Sequence, residues 1–198
     1  MPLSFINGFV LAGGKSSRMG RDKAMLDWHG RTLIAHMVDL LEAAADHVQV
    51  VGRDLLPDRA PGRGPLSGIA TALEISPTDA NIIVAVDLPF LTKDFLLYFR
   101  ARLEQSSGSR LLVCKMGSDF PLCLGVRKTA LAAVQDHLSS DDWSLHGWIT
   151  DSGVEVISER QLQSAGFEPE IFRNLNTPED YERAISLSDG PSSVPGVG

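Results

Sequence analysis

A chain of 198 residues, 43% hydrophobic and 22% charged, carries enough apolar material for one globular domain and too little length for a second full one. Its formal net charge of -7 argues against broad nucleic-acid binding, because phosphate backbones attract basic surfaces. No apolar run approaches the roughly 20 residues of a membrane span, and the opening "MPLSFINGF" lacks the charged and apolar regions of a signal peptide, so the expectation is a cytoplasmic protein.

Along the chain, short apolar runs alternate with longer segments of helical period, the pattern of βα units around a mainly parallel sheet. The first strand is expected over Ile6 to Leu11. From Leu33 to Ala45, apolar residues at Leu33, Ile34, Met37, Leu40, Leu41 and Ala44 recur at spacings of three and four, which predicts a helix with one core-facing stripe. "VQVVG" from Val48 reads as a second strand. "GPLSGIATALEI" starts with Gly64 and Pro65, offers Ser67 as a cap, and reads as a short helix to Ile75. "NIIVAVDLPFL" is continuously apolar and β-branched up to Asp87, which predicts a strand covered on both faces near the sheet centre.

Thr92 to Leu103 reads as a helix capped by Thr92. Further on, "RLLVC" and "LCLGV" are candidate strands, Thr129 to Leu138 a helix, "WSLHGWI" a short helix and "VEVI" a late strand. "NTPEDYERAISL" predicts a helix capped at Thr177, with Pro178 at its first position and Glu179 and Asp180 in its first turn. The final "SDGPSSVPGVG", residues 188–198, has no core-facing pattern and is expected to be disordered. The predicted organisation is therefore one domain over residues 1–187 followed by that tail.

The stretch "LAGGKSSRMGRDKA", residues 11–24, sets Lys15, Arg18, Arg21 and Lys23 against Asp22 alone, inside an acidic chain. Bare backbone at Gly13 and Gly14 lets amides approach an anion closely, and cations beside it suit a polyphosphate. The spacing matches neither the P-loop nor the three-glycine dinucleotide fingerprint. Asp87 ends an apolar strand at its carboxyl end, the edge where open α/β sheets bind ligands, and a carboxylate there suits Mg²⁺ held against nucleotide phosphates; it also suits a loop cap. Asn174 and Asn176, in "FRNLNTPED", are candidate ligands or plain turn residues.

Cys114 and Cys123 lie in strand-like runs without zinc spacing, as buried thiols do. His29, His36, His47, His137 and His146 have no nucleophile motif nearby and read as surface or structural residues. Trp143 and Trp148 suit the core or the wall of a pocket for a flat ring, and Asp141 and Asp142 a solvated helix start.

Taken together, "LAGGKSSRMGRDKA", "GPLSG" at Gly64 to Gly68, "VAVDLPFL" around Asp87 and "NLNTPED" resemble the molybdenum cofactor guanylyltransferases of the MobA family. The resemblance spans residues 8 to 187. It implies an α/β fold of the three-layer Rossmann-like, GT-A-like nucleotidyltransferase type, with a nucleotide-binding part over about residues 1–105 and an acceptor-binding part over about 106–187. By the same resemblance, Leu11, Ala12, Gly13, Gly14 and Lys15 hold the nucleotide, and Lys23 contacts its phosphates. Asp87 binds both Mg²⁺ and nucleotide. Asp58 is the nearest match to an aspartate that contacts the guanosine end, and Asn174 and Asn176 lie near the substrates.

The implied reaction joins GMP from GTP to the terminal phosphate of molybdopterin and releases pyrophosphate. Arg18 and Lys23 neutralise the departing charge, with Asp87 as the third catalytic residue. Proteins that deliver and receive the cofactor are implied as partners; a membrane and nucleic acid are not. Two positions depart from the family pattern: Phe120 precedes Pro121 where members often carry histidine, and His146 stands where many carry the arginine of an "SLR" run. Both fall in the acceptor half. A cytidylyltransferase of the same cofactor, a transferase acting on a sugar or polyol phosphate, and a non-catalytic nucleotide-binding module remain open as alternatives.

Overall fold

The computed structural model describes residues 5–13, 22–52, 63–106, 108–140 and 143–188. In it the alternating pattern becomes β1 (Ile6–Leu11), β2 (Asp27–Trp28), β3 (Arg31–Thr32), α1 (Leu33–Leu41), β4 (His47–Val51), α2 (Pro65–Ile75), β5 (Ala80–Ala85) and α3 (Lys93–Gln105). The second half contributes β6 (Leu111–Lys115), β7 (Cys123–Arg127), α4 (Leu131–Ser139), α5 (Leu145–Asp151), β8 (Val154–Ser158), α6 (Glu159–Ser164) and α7 (Pro178–Ser188). Six strands form one sheet in the order β4-β1-β5-β7-β6-β8. Every neighbouring pair is parallel except those involving β7, which runs against both β5 and β6.

Side chains on a strand alternate between faces, and both faces are covered here. Ile6, Val10, Ile82 and Val84 pack with Leu33, Met37 and Leu41 of α1 and with Phe95 and Phe99 of α3. Phe9, Leu11 and Ile83 face the other way, against Leu66, Ile69 and Leu73 of α2 and Trp148 of α5. The result is the expected three-layer, mainly parallel α/β sandwich, with β5 central and buried throughout all but its last residue.

Most caps fall where the side-chain chemistry puts them. Thr92 accepts the Phe95 amide at the start of α3, and the Thr177 hydroxyl accepts the Asp180 amide while the Asp180 carboxylate accepts the Thr177 amide. Ser67 is the exception: it is buried inside α2 and is not a cap. The helix begins earlier because Pro65 supplies a pre-set helical φ at its first position and Gly64 takes a positive φ of 66° as the flanking residue. The helix expected to reach Ala45 stops at Leu41, and the chain turns through the next residues into β4.

The β2–β3 hairpin and α6 carry weak or overlooked signals. The hairpin turns on His29 and Gly30, both at positive φ. α6 follows β8 directly, and its capping box of Ser158 and Gln161 is the sequence sign that marks it. Cys114 and Cys123 are buried free thiols. Burial pushes the Cys114 thiol up to about 12 and Cys123 up as well, so neither is a nucleophile at neutral pH. The tail expectation lies outside the described residues beyond Ser188, which closes α7. Among the described residues no helix is long and apolar enough to cross a membrane.

Candidate active site

Parallel pairing aligns strand ends, and the register here brings three ends to one level. Leu11 pairs with both Val51 and Ala85, so the residues just beyond β1, β4 and β5 emerge side by side at the carboxyl edge. The backbone continues the alignment past the strands: the Ala12 amide donates to the Val51 carbonyl at 2.9 Å, and the Val86 amide to the Leu11 carbonyl at 3.0 Å. Gly13 therefore follows β1 at this edge, with Asp87 two residues beyond β5. Gly52, just beyond β4, has a φ of 90°, and a Cβ on it would lie 2.4 Å from the Gly13 Cα and amide nitrogen. Only a bare backbone fits there.

Lys23 reaches the same edge from a single 3-10 turn, Lys23–Met25, whose first amide contact is the Asp22 carboxylate accepting from Ala24 at 3.1 Å. The Lys23 ammonium lies 3.5 Å from an Asp87 carboxylate oxygen and donates to Asn176 Oδ1 at 3.0 Å. These partners are 64 and 153 residues away in sequence. Both charged side chains are largely enclosed, 16% and 22% exposed. Burial pushes the Asp87 carboxyl above its ordinary value; Lys23 pulls it back down, and burial wins.

That balance is the test for a metal. A carboxylate whose neighbouring ammonium does not offset its desolvation gains from a further cation. Asp87 and Asn176 Oδ1 offer two oxygen donors flanking one ammonium, and among the described residues no three acidic, histidine or cysteine side chains form a cage. A hard cation held by one carboxylate, with phosphate oxygens and water completing its shell, fits this donor set.

A strap over residues 173–176 locks the site from the far end of the chain. The Leu175 amide donates to the Asp87 carbonyl at 3.0 Å, and the Arg173 guanidinium lies 4.1 Å from the ring centre of Phe90. The Tyr181 hydroxyl in α7 donates to the Asp27 carbonyl at 2.6 Å, tying the strap's helix to β2. Asn174 opens into a cleft of 540 Å³, whose walls include Phe120, Leu122, His146, Phe172 and Arg173. Phe120 and His146, the two departures from the family pattern, touch there: their ring centres are 5.3 Å apart at 52°. Lys115 reaches the Phe120 ring, its Nζ 5.9 Å from the centroid.

Of the residues singled out in the sequence, Leu11, Ala12, Gly13, Lys23, Asp87, Asn174 and Asn176 gather along this edge and its adjoining cleft. Gly14, Lys15, Arg18, Arg21 and Asp58, with Asp141 and Asp142, lie outside the described residues. Trp148 is core, whereas Trp143 is 40% exposed beneath the Arg63 guanidinium. Sequence reasoning missed Gly52, whose signal was a glycine at the end of "VQVVG", level with the glycine turn. It also missed Arg173 and Phe90, whose contact joins segments that no local pattern relates.

A doubly wound α/β sheet that sets a lysine, a largely enclosed carboxylate and a bare-backbone turn on its carboxyl edge is the architecture of a nucleotide-handling transferase. Comparison with known proteins makes that class specific: the chain belongs to the MobA-like NTP transferase domain family, whose pattern matches residues 8–156. A relative from Syntrophotalea carbinolica, a molybdenum cofactor guanylyltransferase, is 30% identical over 192 residues, covering 91% of each chain. Another of the same name, from Xanthomonas euvesicatoria pv. vesicatoria, is 34% identical over 190 residues, covering 90% of this chain and 93% of that one. The crystal structure of molybdopterin-guanine dinucleotide biosynthesis protein A from Archaeoglobus fulgidus superposes with a TM-score of 0.73 at 20% identity, covering 92% of this chain and 98% of that one. At that identity it speaks for the fold.

Proposed function

We propose that this chain transfers GMP from GTP to the terminal phosphate of molybdopterin, releasing pyrophosphate and forming a molybdopterin guanine dinucleotide. The observation that carries the reading is the convergence of Lys23, Asp87 and Asn176 at one sheet edge, beside a cleft of 540 Å³ walled partly by aromatic rings. A phosphate oxygen of the acceptor attacks the α-phosphorus of GTP. The bond from that phosphorus to the α,β-bridging oxygen breaks, and the electron pair leaves on pyrophosphate. No covalent enzyme intermediate is needed, so the protein contributes positioning and charge stabilisation.

In this reading the backbone from Leu11 to Gly14 receives the nucleotide, with Lys15 and Arg18 from the sequence that follows it and Asp58 at the nucleoside end. Lys23 neutralises charge that grows on the pyrophosphate, and Asn176 aims its ammonium by accepting a hydrogen bond from it at Oδ1. Asp87, with Asn176 beside it, would hold Mg²⁺, which would supply polarisation of the α-phosphate. The residues 1–105 act as the nucleotide part. The acceptor enters the 540 Å³ cleft, with Asn174 at the junction between cleft and phosphates. The reaction runs in the cytoplasm, with proteins that supply and receive the unstable cofactor.

The test is a matched assay of pyrophosphate release from GTP or CTP, with Mg²⁺ and molybdopterin. Release that needs both GTP and molybdopterin supports the reading. Preference for CTP reassigns the base, release with a sugar or polyol phosphate in place of molybdopterin reassigns the acceptor, and GTP binding without release makes the chain a binding module.

A further inference from the structure

The turn that carries Asp87 is anchored at three consecutive carbonyls. Asp87 O accepts from the Leu175 amide at 3.0 Å, and Leu88 O from the Leu91 amide at 3.3 Å. Pro89 O accepts from His36 Nε2 at 2.8 Å. The first anchor comes from the strap, the second from the turn itself, and the third is a side chain on α1, 53 residues earlier in the chain. His36 is the only one of the three donors that a substitution can remove without touching the backbone.

The ring is committed on both sides. A carbonyl can only accept, so Nε2 carries the proton, and Nδ1 accepts from an Arg31 guanidinium N–H at 2.9 Å. Burial, and Arg31 beside it, hold the imidazole below its ordinary pKa, in keeping with this neutral tautomer. Trp28 packs over the same place, its ring 5.8 Å from His36 and 5.5 Å edge-on to Phe90. Phe90 in turn carries the Arg173 guanidinium of the strap. Thus α1, the hairpin, the Asp87 turn and the strap meet at one point, with His36 as its polar joint. Pro89 is buried, so losing this donor leaves a carbonyl unpaired away from water, and the turn must move to repair it.

We propose that His36 is a positioning residue for the nucleotidyl-transfer site: by fixing the Pro89 carbonyl it holds the Asp87 carboxylate in line with Lys23 and Asn176. The proposal rests on the reading of Asp87 as the metal-binding carboxylate. His36 touches neither substrate nor metal and acts only through the turn. Active-site displacements of about 1 Å cost on the order of 100-fold in rate, so a joint of this kind matters beyond its own hydrogen bond.

The experiment compares the full-length protein with His36→Leu, which fills the space without a donor, and His36→Gln, whose amide N–H can still reach the Pro89 carbonyl. Three quantities are read: Mn²⁺ binding in the presence of a non-hydrolysable GTP analogue, by electron paramagnetic resonance; kcat and KM for GTP; and Tm. The expected result for His36→Leu is Mn²⁺ affinity and kcat each lower by about tenfold or more, with the KM for GTP within about twofold. His36→Gln recovers most of both, whatever its Tm. Wild-type Mn²⁺ affinity and kcat in a folded His36→Leu protein overturn the proposal. So does a His36→Gln protein that regains Tm and not metal binding, which would make the contact structural only. If His36→Leu does not fold, His36→Gln decides: near-wild-type metal binding supports the proposal, and weakened binding at unchanged Tm overturns it. Wild-type protein that binds Mn²⁺ in a His36-dependent way but makes no guanine dinucleotide keeps this inference and removes the guanylyltransferase reading; wild-type protein that binds no Mn²⁺ removes both.

Discussion

The two halves of the sheet solve different problems. On the β4-β1-β5 side all pairing is parallel, and strand register alone brings Gly13, Gly52 and Asp87 to one edge. That side offers an incoming ligand bare backbone and a few charges. On the β7-β6-β8 side an antiparallel strand interrupts the order, and the cleft is assembled from side chains of loops and short helices: Phe120, Leu145, His146 and Phe172. The first arrangement suits a ligand part common to many reactions, a triphosphate. The second suits the part that differs from one enzyme to the next. The strap over residues 173–176 belongs by sequence to the second half, yet Leu175 and Asn176 bond to Asp87 and Lys23 of the first.

The sharpest way to break this contrast is at Asp87. Asp87→Asn is expected to lower metal-dependent turnover by about 10² to 10³-fold or more, the range for losing one group that stabilises transition-state charge, and Lys23→Ala to act similarly. The same Asp87→Asn change should raise the Tm of the metal-free protein, because burial already disfavours the charge it removes. Turnover assays and calorimetry on one preparation check both; a fall in Tm with turnover intact would dissolve the assignment.

Next in size is a paired comparison across the sheet. Gly52→Ala forces a side chain onto the Gly13 backbone at a left-handed φ, a strain of about 1–3 kcal/mol, and should raise the KM for GTP while leaving the acceptor KM nearly unchanged. Phe120→Ala removes a ring from the cleft, at about 0.5–1.5 kcal/mol of stacking, and should raise the acceptor KM several-fold with the GTP KM unchanged. If the two variants shift the same KM, the division of labour between the halves is wrong.

The smallest effect is a pH dependence. The Asp87 carboxyl is raised in the folded state, so between the unfolded value and the folded one the native protein holds more protons than the unfolded chain. Asp87 therefore costs stability at neutral pH, and the cost fades as pH falls through its folded pKa. Asp39, Glu155 and Asp180 are shifted downward, and their contributions run the other way, lost as pH falls through their folded values. The Tm advantage of metal-free Asp87→Asn over wild type should thus shrink on acidification even while both proteins weaken. A constant difference across that range would show that Asp87 is not desolvated.

Much of the β4-β1-β5 edge was legible in the sequence. A glycine pair after an apolar run, a lysine soon after it, and an aspartate closing a continuous β-branched strand are local patterns, and parallel strands with shared register turn them into one edge. The caps at Thr92 and Thr177 were legible for the same reason, since a cap bonds within its own first turn. Ser67 misled because proline and a positive-φ glycine outrank serine at a helix start.

Beyond that edge, linear order says little. The contact of Asn176 with Lys23, the joint between His36 and Pro89, and the meeting of Phe120 with His146 join segments whose proximity depends on strand order and on how helices cross the sheet. Local periodicity encodes which face of an element is buried and where it stops. Which elements become neighbours is settled only by packing the whole chain around two cores, and that packing decided which asparagine holds the lysine and which rings line the cleft.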